Sequence, residues 1–144
     1  MKLPLYRVML VRESTGRRYR PKITSPAAAY RALRPLFRNL DREHFIVCCL
    51  DSKHEIRAIN VVSVGTLNLS IVHPREDFKP AILANAHAVI FAHNHPSGVV
   101  EPSRADELLT QNLKQALALV DIRVLDHFVV AGVDATSFAE RGLL

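Results

Sequence analysis

Residues 89–106 read VIFAHNHPSGVVEPSRAD and combine an apolar run with two histidines, a turn and the start of a helix. The apolar run at residues 89–92 is rich in β-branched and aromatic side chains, which predicts a short buried strand. His93 and His95 follow it, two residues apart. Because alternate residues of a strand project from the same face, both imidazoles can point at one place. This stretch therefore predicts a strand whose end carries a pair of histidines on one face.

The chain can return towards these histidines a few residues later. Pro96 and Gly98 favour turns, and Ser103 begins the pattern Ser-Arg-Ala-Asp at the start of the next predicted helix. Asp106 can therefore lie beside the two imidazoles. Two neutral imidazoles and a carboxylate suit zinc, and three protein ligands leave a fourth position for water, which is typical of catalytic zinc sites. Two other interpretations stay open, because H-x-H pairs are common and S-x-x-D is also how a helix caps its own N-terminus.

Strands and helices alternate along the rest of the chain. Ser25 and Pro26 are suited to cap and begin the first helix, which Pro35 kinks or delays. The turn at residues 51–53 is too short for a crossover, so the fold class is α/β with a mixed sheet covered by helices. Apolar spacing predicts strands at residues 45–50, 56–64, 89–92 and 122–130, and helices from residue 26, at 75–87 and at 104–120.

The chain is predicted to form one main domain, residues 26–144, preceded by a basic segment, residues 1–25. The net charge is +5, and the basic segment holds seven Lys or Arg against the single acid Glu13. Residues 6–12 predict one strand of an edge hairpin that closes near Lys22. The segment is a candidate for contact with nucleic acid or with an acidic protein surface, although such short basic edges are more often simply solvated. Its cations nearest the main domain are Arg17, Arg18, Arg20 and Lys22.

Composition predicts a cytoplasmic protein with no membrane partner. No run of about 18 apolar residues occurs, and the N-terminus lacks the apolar core and cleavage site of a secretory signal. Cys48 and Cys49 are adjacent, so on a strand they point to opposite faces and are poorly placed to bridge each other. We interpret them as small buried residues in a reducing compartment.

The histidine stretch also matches a known motif. The pattern H-x-H-P, then six residues, then S-x-x-D resembles the motif of the JAMM (MPN+) metalloprotease domain. More narrowly, HPRE at residues 73–76, AHNHPSG at 92–98 and LDH at 125–127 resemble the RadC family, especially its short members. The resemblance covers about residues 26–144.

This resemblance implies a cytidine-deaminase-like α/β/α sandwich and zinc-dependent hydrolysis of a peptide or isopeptide bond in a peptide or protein substrate. It implies His93, His95 and Asp106 as the zinc ligands, and Ser103 as a residue that supports the oxyanion. It also implies that Glu43, at the start of a strand, is the general acid/base that activates water at the metal. Composition alone leaves rivals for that last role, namely Glu55, Glu76 and Glu101.

Other functions are weighed against this one. RadC proteins usually carry an N-terminal helix-hairpin-helix region, which the basic segment does not resemble, so we expect a short form whose link to DNA repair transfers poorly. The alternative is a non-enzymatic, zinc-stabilised module that binds DNA or protein. A zinc deaminase would need H-x-E and a downstream P-C-x-x-C, and the sequence has neither. Arg75 is a candidate carboxylate clamp, whereas Asp126 and His127 are structural, metal-supporting or substrate-facing.

Overall fold

The computed structural model describes residues 2–14, 19–65 and 72–144. Within these ranges the chain forms helices and strands in the alternating order that the sequence predicts. In chain order the elements are α1 (Pro26–Leu33), a 3₁₀-helix (Arg34–Phe37), β1 (His44–Leu50), β2 (Ile56–Val64), α2 (Pro74–Leu83), β3 (Ala88–Asn94), α3 (Arg104–Ala118), β4 (Arg123–Ala131) and β5 (Asp134–Ser137).

The strands form one mixed sheet in the order β2-β1-β3-β4-β5. β3 and β4 are parallel and are joined by α3, whereas the other neighbouring pairs are antiparallel. The predicted pairing across the turn at residues 51–53 is confirmed, with Leu50 opposite Ile56. β3 lies in the centre with all seven of its residues buried, which explains why it reads as a continuous apolar run rather than an alternating one.

Helices cover both faces of the sheet, which confirms the predicted α/β sandwich. On one face, Ala29 and Leu33 of α1 pack against apolar side chains of β1, β3 and β4. On the other face, Leu113 and Leu117 of α3 and Ala81 of α2 pack against the opposite side of the same strands. In the described part of the chain, no helix is long and apolar enough to cross a membrane.

A bulge in β4 decides which of its side chains face α3. Successive residues of β3 pair with Val124 and then with Asp126, so Leu125 is an extra residue on β4. Val124 packs on the α3 side of the sheet. After the bulge the alternation is shifted by one residue, so that His127 rather than Asp126 shares that side.

The first helix begins as its sequence predicts, but it ends before Pro35 instead of continuing through a kink or starting later. The Ser25 hydroxyl accepts a hydrogen bond from the backbone N–H of Ala28 at 3.1 Å, and Pro26 occupies the first turn. The α-helix ends at Leu33, and the chain continues as the 3₁₀-helix that contains Pro35. Proline lacks the N–H that an α-helix would need there, and its ring crowds the preceding turn.

The structure differs from the sequence prediction at the N-terminal segment and at the last strand. Residues 2–14 form neither helix nor strand, so the strand predicted for residues 6–12 is not present. Part of the predicted hairpin turn lies in residues 15–18, outside the described residues, as do Arg17 and Arg18. Lys22 does pair with Glu55 through an isolated antiparallel bridge beside β2. The sequence did not predict β5, and the division of the chain at residue 25 stays a prediction.

The helix α2 buries a carboxylate that has no ionic or hydrogen-bonding partner in the described part of the chain. The Asp77 side chain is completely buried, and neither of its oxygens has a hydrogen-bond partner among the described residues. Burial, with a smaller contribution from the charge of Glu76, raises the pKa of Asp77 from 3.8 to about 7. The folded protein therefore holds this group in its protonated form across the mildly acidic range.

The contribution of this carboxylate to stability is expected to fall as the pH rises. Between about pH 4 and pH 7 the unfolded chain has released the Asp77 proton while the folded chain retains it, so the contribution of Asp77 to stability falls by roughly 4 kcal/mol over that range. We expect Asp77→Asn to remove this fall, measured by urea denaturation at several pH values. The control Asp121→Asn, at an exposed position, should keep the fall. A fall of unchanged size in Asp77→Asn would contradict the assignment.

Candidate metal centre

The end of β3 and the start of α3 bring three predicted ligands together. His93 is buried within β3, His95 follows the last residue of the strand, and Asp106 is the third residue of α3. The Nε2 atoms of His93 and His95 lie 3.1 Å apart. Each of these nitrogens lies 3.4 Å from a carboxylate oxygen of Asp106, His93 from Oδ1 and His95 from Oδ2.

These distances fit a metal ion. Ligand atoms about 2.0–2.1 Å from a tetrahedral centre lie roughly 3.3 Å from one another, close to the separations seen here. One candidate ligand atom from each residue lies within 4.8 Å of the others. His93 and Asp106 are buried and His95 is partly exposed, so the cluster is accessible on the His95 side. The three residues can therefore hold a metal ion with a position left for a further ligand.

The charges of the cluster compensate one another. Burial alone would raise the pKa of Asp106, but the facing His93 and His95 rings outweigh it and hold that pKa well below its usual range. In turn, the Asp106 carboxylate raises the pKa of His95 despite partial burial of the ring. Without a metal, the Asp106 carboxylate thus favours a proton on the neighbouring His95 ring.

Asp106 also caps the helix on which it lies. The Ser103 hydroxyl accepts a hydrogen bond from the Asp106 N–H at 3.0 Å, and the Asp106 carboxylate accepts one from the Ser103 N–H at 2.8 Å. This capping box was one of the two interpretations of the S-x-x-D pattern. The structure confirms the capping box, and the same carboxylate also faces the two histidines, where it could hold a metal ion.

The loop between His95 and α3 holds the second histidine in place. The Nδ1–H of His95 donates to the carbonyl of Val99 at 2.7 Å, which leaves Nε2 directed at Asp106. Gly98 has a φ of 85° and donates its N–H to the His95 carbonyl, so the turn needs the left-handed backbone that glycine provides. The predicted turn at Gly98 therefore precedes the Val99 carbonyl, which fixes the His95 tautomer.

Glu43 lies next to this cluster although it is 50 residues away in sequence from His93. β1 and β3 are antiparallel with Phe45 opposite His93, and extension of that register by two residues puts Glu43 opposite His95. Its carboxylate is close enough to contribute to the raised pKa of His95, after the larger effect of Asp106. Glu43 is half-buried at the open side of the cluster.

Asn94, the middle residue of the His-Asn-His sequence, fixes the backbone around Glu43 and was not predicted as a site residue. The Asn94 side-chain carbonyl accepts a hydrogen bond from the His44 N–H at 2.7 Å, and its amide donates to the Arg42 carbonyl at 3.1 Å. Asn94 is buried and thus clamps the residues on both sides of Glu43. An amide between two histidines at a strand end is the only sequence signal for this contact.

The Asp126–His127 pair divides into two roles. The Asp126 carboxylate accepts hydrogen bonds from the N–H groups of His127 and Ala139 and from the Ser137 hydroxyl, which is a structural role that joins β4 to the end of β5. The His127 ring instead points to the metal side, where its Nε2 lies 2.7 Å from His93 Nδ1. Burial, together with the nearby charge of His93, lowers the pKa of His127 well below its usual value. The predicted clamp residue Arg75 is exposed on α2.

The chain forms an α/β sandwich, with two histidines and an aspartate grouped beside the end of its central strand. It is therefore a candidate metal-binding domain. The family model described as RadC-like JAB domain matches residues 23–143, and the chain belongs to this family. The resemblance to the RadC family, which the sequence motifs indicated, is thereby confirmed.

Curated relatives agree with this membership. A UPF0758 protein of Leptothrix cholodnii is 56% identical over 125 residues, which cover 87% of this chain and 56% of the relative. A UPF0758 protein of Rubrobacter xylanophilus is 49% identical over 142 residues, which cover 99% of this chain and 61% of the relative. The chain thus spans little more than half the length of these relatives. That the protein is a short form without the helix-hairpin-helix region stays a prediction.

The clamp by Asn94 can be tested without any assay of activity. Asn94→Ala leaves the His44 N–H and the Arg42 carbonyl without their partner, and we expect a loss of roughly 2 kcal/mol in the free energy of unfolding. We also expect faster amide hydrogen exchange at His44, measured by NMR, whereas Asn94→Asp, which keeps the acceptor, should retain most of the protection. Asn60→Ala, at an exposed position on β2, is the matched control. Unchanged exchange at His44 in Asn94→Ala would refute the clamp.

Proposed function

We propose that this protein is a zinc-dependent hydrolase of the JAMM type that cleaves a peptide or isopeptide bond. The observation that carries the proposal is the cluster of His93, His95 and Asp106 with the carboxylate of Glu43 beside it. The family membership supports the same class. The names of the relatives specify no reaction, so the proposal rests on the chemistry of the site.

In this proposal His93, His95 and Asp106 are the metal ligands. Zinc suits two imidazole nitrogens and one carboxylate at tetrahedral spacing. When bound, it supplies a Lewis acid that polarises a carbonyl group and makes water more acidic. His95 is partly exposed, and a substrate would approach the cluster from that side.

Glu43 is the proposed general acid/base. A base in this reaction must reach water at the cluster without being a ligand itself, and the register of β1 with β3 supports that position for Glu43. Its rivals are less suitable. Glu76 pairs with Lys79 and Glu101 with Arg141, both on the surface, while Glu55 adjoins the far end of β1.

Ser103 is the proposed donor to the oxyanion. Its hydroxyl oxygen accepts the N–H of Asp106, which holds the side chain at the helix start. The hydroxyl proton is not used in that bond and can be donated to a developing negative charge. Ser103 is exposed next to a ligand, so both its capping role and this role can be met at once.

A second candidate function is a zinc-stabilised module that binds DNA or protein through the basic segment. One observation favours it: residues 2–14 expose both cations and large apolar side chains, among them Leu5, Tyr6 and Val8. For either function we propose that the protein acts in the cytoplasm. Both cysteines are free and buried, as a reducing environment allows.

Metal binding is the first expectation to test. We expect about one zinc ion per chain in purified protein by elemental analysis, and a higher melting temperature with zinc than after chelation. Asp106→Asn should lose most of the zinc, because it removes a charged ligand. The control His87→Ala, which replaces an exposed histidine before β3, should keep it. Full zinc content in Asp106→Asn would show that the metal lies elsewhere.

The role of Glu43 separates the two functions. With a quenched-fluorescence peptide library and a lysine-linked isopeptide library as probes, we expect turnover by the zinc-loaded protein and a loss of at least about 100-fold in Glu43→Gln. The variant should still bind one zinc, because Glu43 is not a ligand. Loss of zinc in Glu43→Gln would overturn its assignment as a base. If the zinc-loaded wild type cleaves neither library, the hydrolase proposal fails for these bonds and the binding module is favoured.

A further inference from the structure

A buried histidine lies directly behind the candidate ligand His93. His127 is completely buried, with Nε2 2.7 Å from His93 Nδ1 and Nδ1 2.6 Å from the hydroxyl oxygen of Thr110. Its ring stacks on Phe138 at a centroid distance of 4.6 Å. Two further rings, Phe45 and Phe91, lie in T-shaped arrangements with it at centroid distances of 5.4 and 6.0 Å.

The direction of each hydrogen bond in this chain follows from the donors available. The Thr110 hydroxyl donates to the backbone carbonyl of Asp106 at 2.7 Å, one helical turn earlier, so its proton is used there. Its oxygen can then only accept, which requires a proton on Nδ1 of His127. A second proton on this ring would be a buried charge enclosed by phenyl rings, so its Nε2 is without a proton and accepts from Nδ1–H of His93.

We propose that Thr110 and His127 are positioning residues that hold His93 in the tautomer with its proton on Nδ1, so that Nε2 is free to bind the metal. The inference rests on the metal cluster of the proposed function but not on hydrolysis. Without this pair, His93 can carry its proton on Nε2, where a proton blocks coordination. Hydrogen bonds to the outer nitrogen of a ligating histidine typically fix its tautomer and ring orientation in this way.

The same arrangement explains the close approach of the two ligand rings. Nδ1–H of His95 donates to the Val99 carbonyl, so His95 also presents Nε2 to the cluster. Two nitrogen lone pairs that face each other at 3.1 Å repel, unless a proton or a metal ion lies between them and Asp106. The cluster is therefore prepared for a cation by hydrogen bonds made on its outer side.

The tautomers can be read directly by long-range ¹H–¹⁵N NMR of the histidine rings in the metal-free full chain at about pH 8. We expect His93 and His127 to carry their proton on Nδ1 and none on Nε2. Thr110→Val removes the acceptor for His127, so we expect part of the His93 population to move its proton to Nε2. Zinc affinity, measured by competition with a chelating dye, should weaken by roughly 10- to 100-fold.

Two variants separate positioning from simple packing. Thr110→Ser keeps the hydroxyl and should restore both the tautomer and the zinc affinity. Thr136→Val replaces another buried threonine, on β5, and should change neither. A proton on Nε2 of His93 in the wild type would overturn the inference, as would unchanged tautomers and affinity in Thr110→Val.

The test is independent of catalysis. If Thr110→Val does not fold, the wild-type tautomers still decide the inference. If the wild type shows the expected tautomers but binds no zinc and cleaves no probe, the hydrolase proposal fails while the assignment of the hydrogen-bond chain stands.

Discussion

The carboxylate of Asp106 joins the start of α3 to the end of β3. It accepts the Ser103 N–H within the capping box, and it faces Nε2 of both histidines. A buried charge is tolerated only where hydrogen bonds and opposite charge compensate its loss of hydration. The helix start and the histidine pair supply both here, so the local folding of α3 and the formation of the cluster depend on the same group.

The central position of β3 explains how other elements reach the cluster. The strand has β1 on one side and β4 on the other, and each neighbour contributes a buried polar contact near its end. Asn94 bonds to the backbone around Glu43 at the start of β1, and His93 bonds to His127 of β4. Between them, the consecutive residues 93–95 contact β4, β1 and α3. A three-residue sequence therefore fixes parts of the chain that are far apart in sequence.

The sequence predicted most of the regular structure because strong local signals mark it. β2 has the predicted bounds although only Ile56 of this edge strand is buried, whereas the buried strands and the caps of α1 and α3 follow apolar runs and capping residues. The short edge strand β5 has no such run, since Asp134 begins it after a glycine turn. The exposed residues 6–12 show the opposite error: their apolar composition predicts a strand, but no strand in the described part of the chain pairs with them.

The candidate site was predictable only where its residues are close in sequence. His93, His95 and Asp106 lie within 14 positions and share one strand-turn-helix unit. Glu43 depends on the pairing of β1 with β3, which the family resemblance indicated but no local pattern could. His127 depends on the bulge at Leu125, because strict alternation from Val124 would have turned Asp126 towards α3 instead.

A comparison of the three aspartates that are buried in the described part of the chain shows why a cation is favoured at only one of them. Asp126 is satisfied by two N–H groups and a hydroxyl, so an added cation would displace bonds already formed. Asp77 is held protonated by burial, because nothing in the described part of the chain compensates its charge. Asp106 is ionised and faces nitrogens whose outer protons are already engaged by Val99 and His127. Of these three carboxylates, only Asp106 lies where a cation gains ligands without breaking hydrogen bonds that the fold requires.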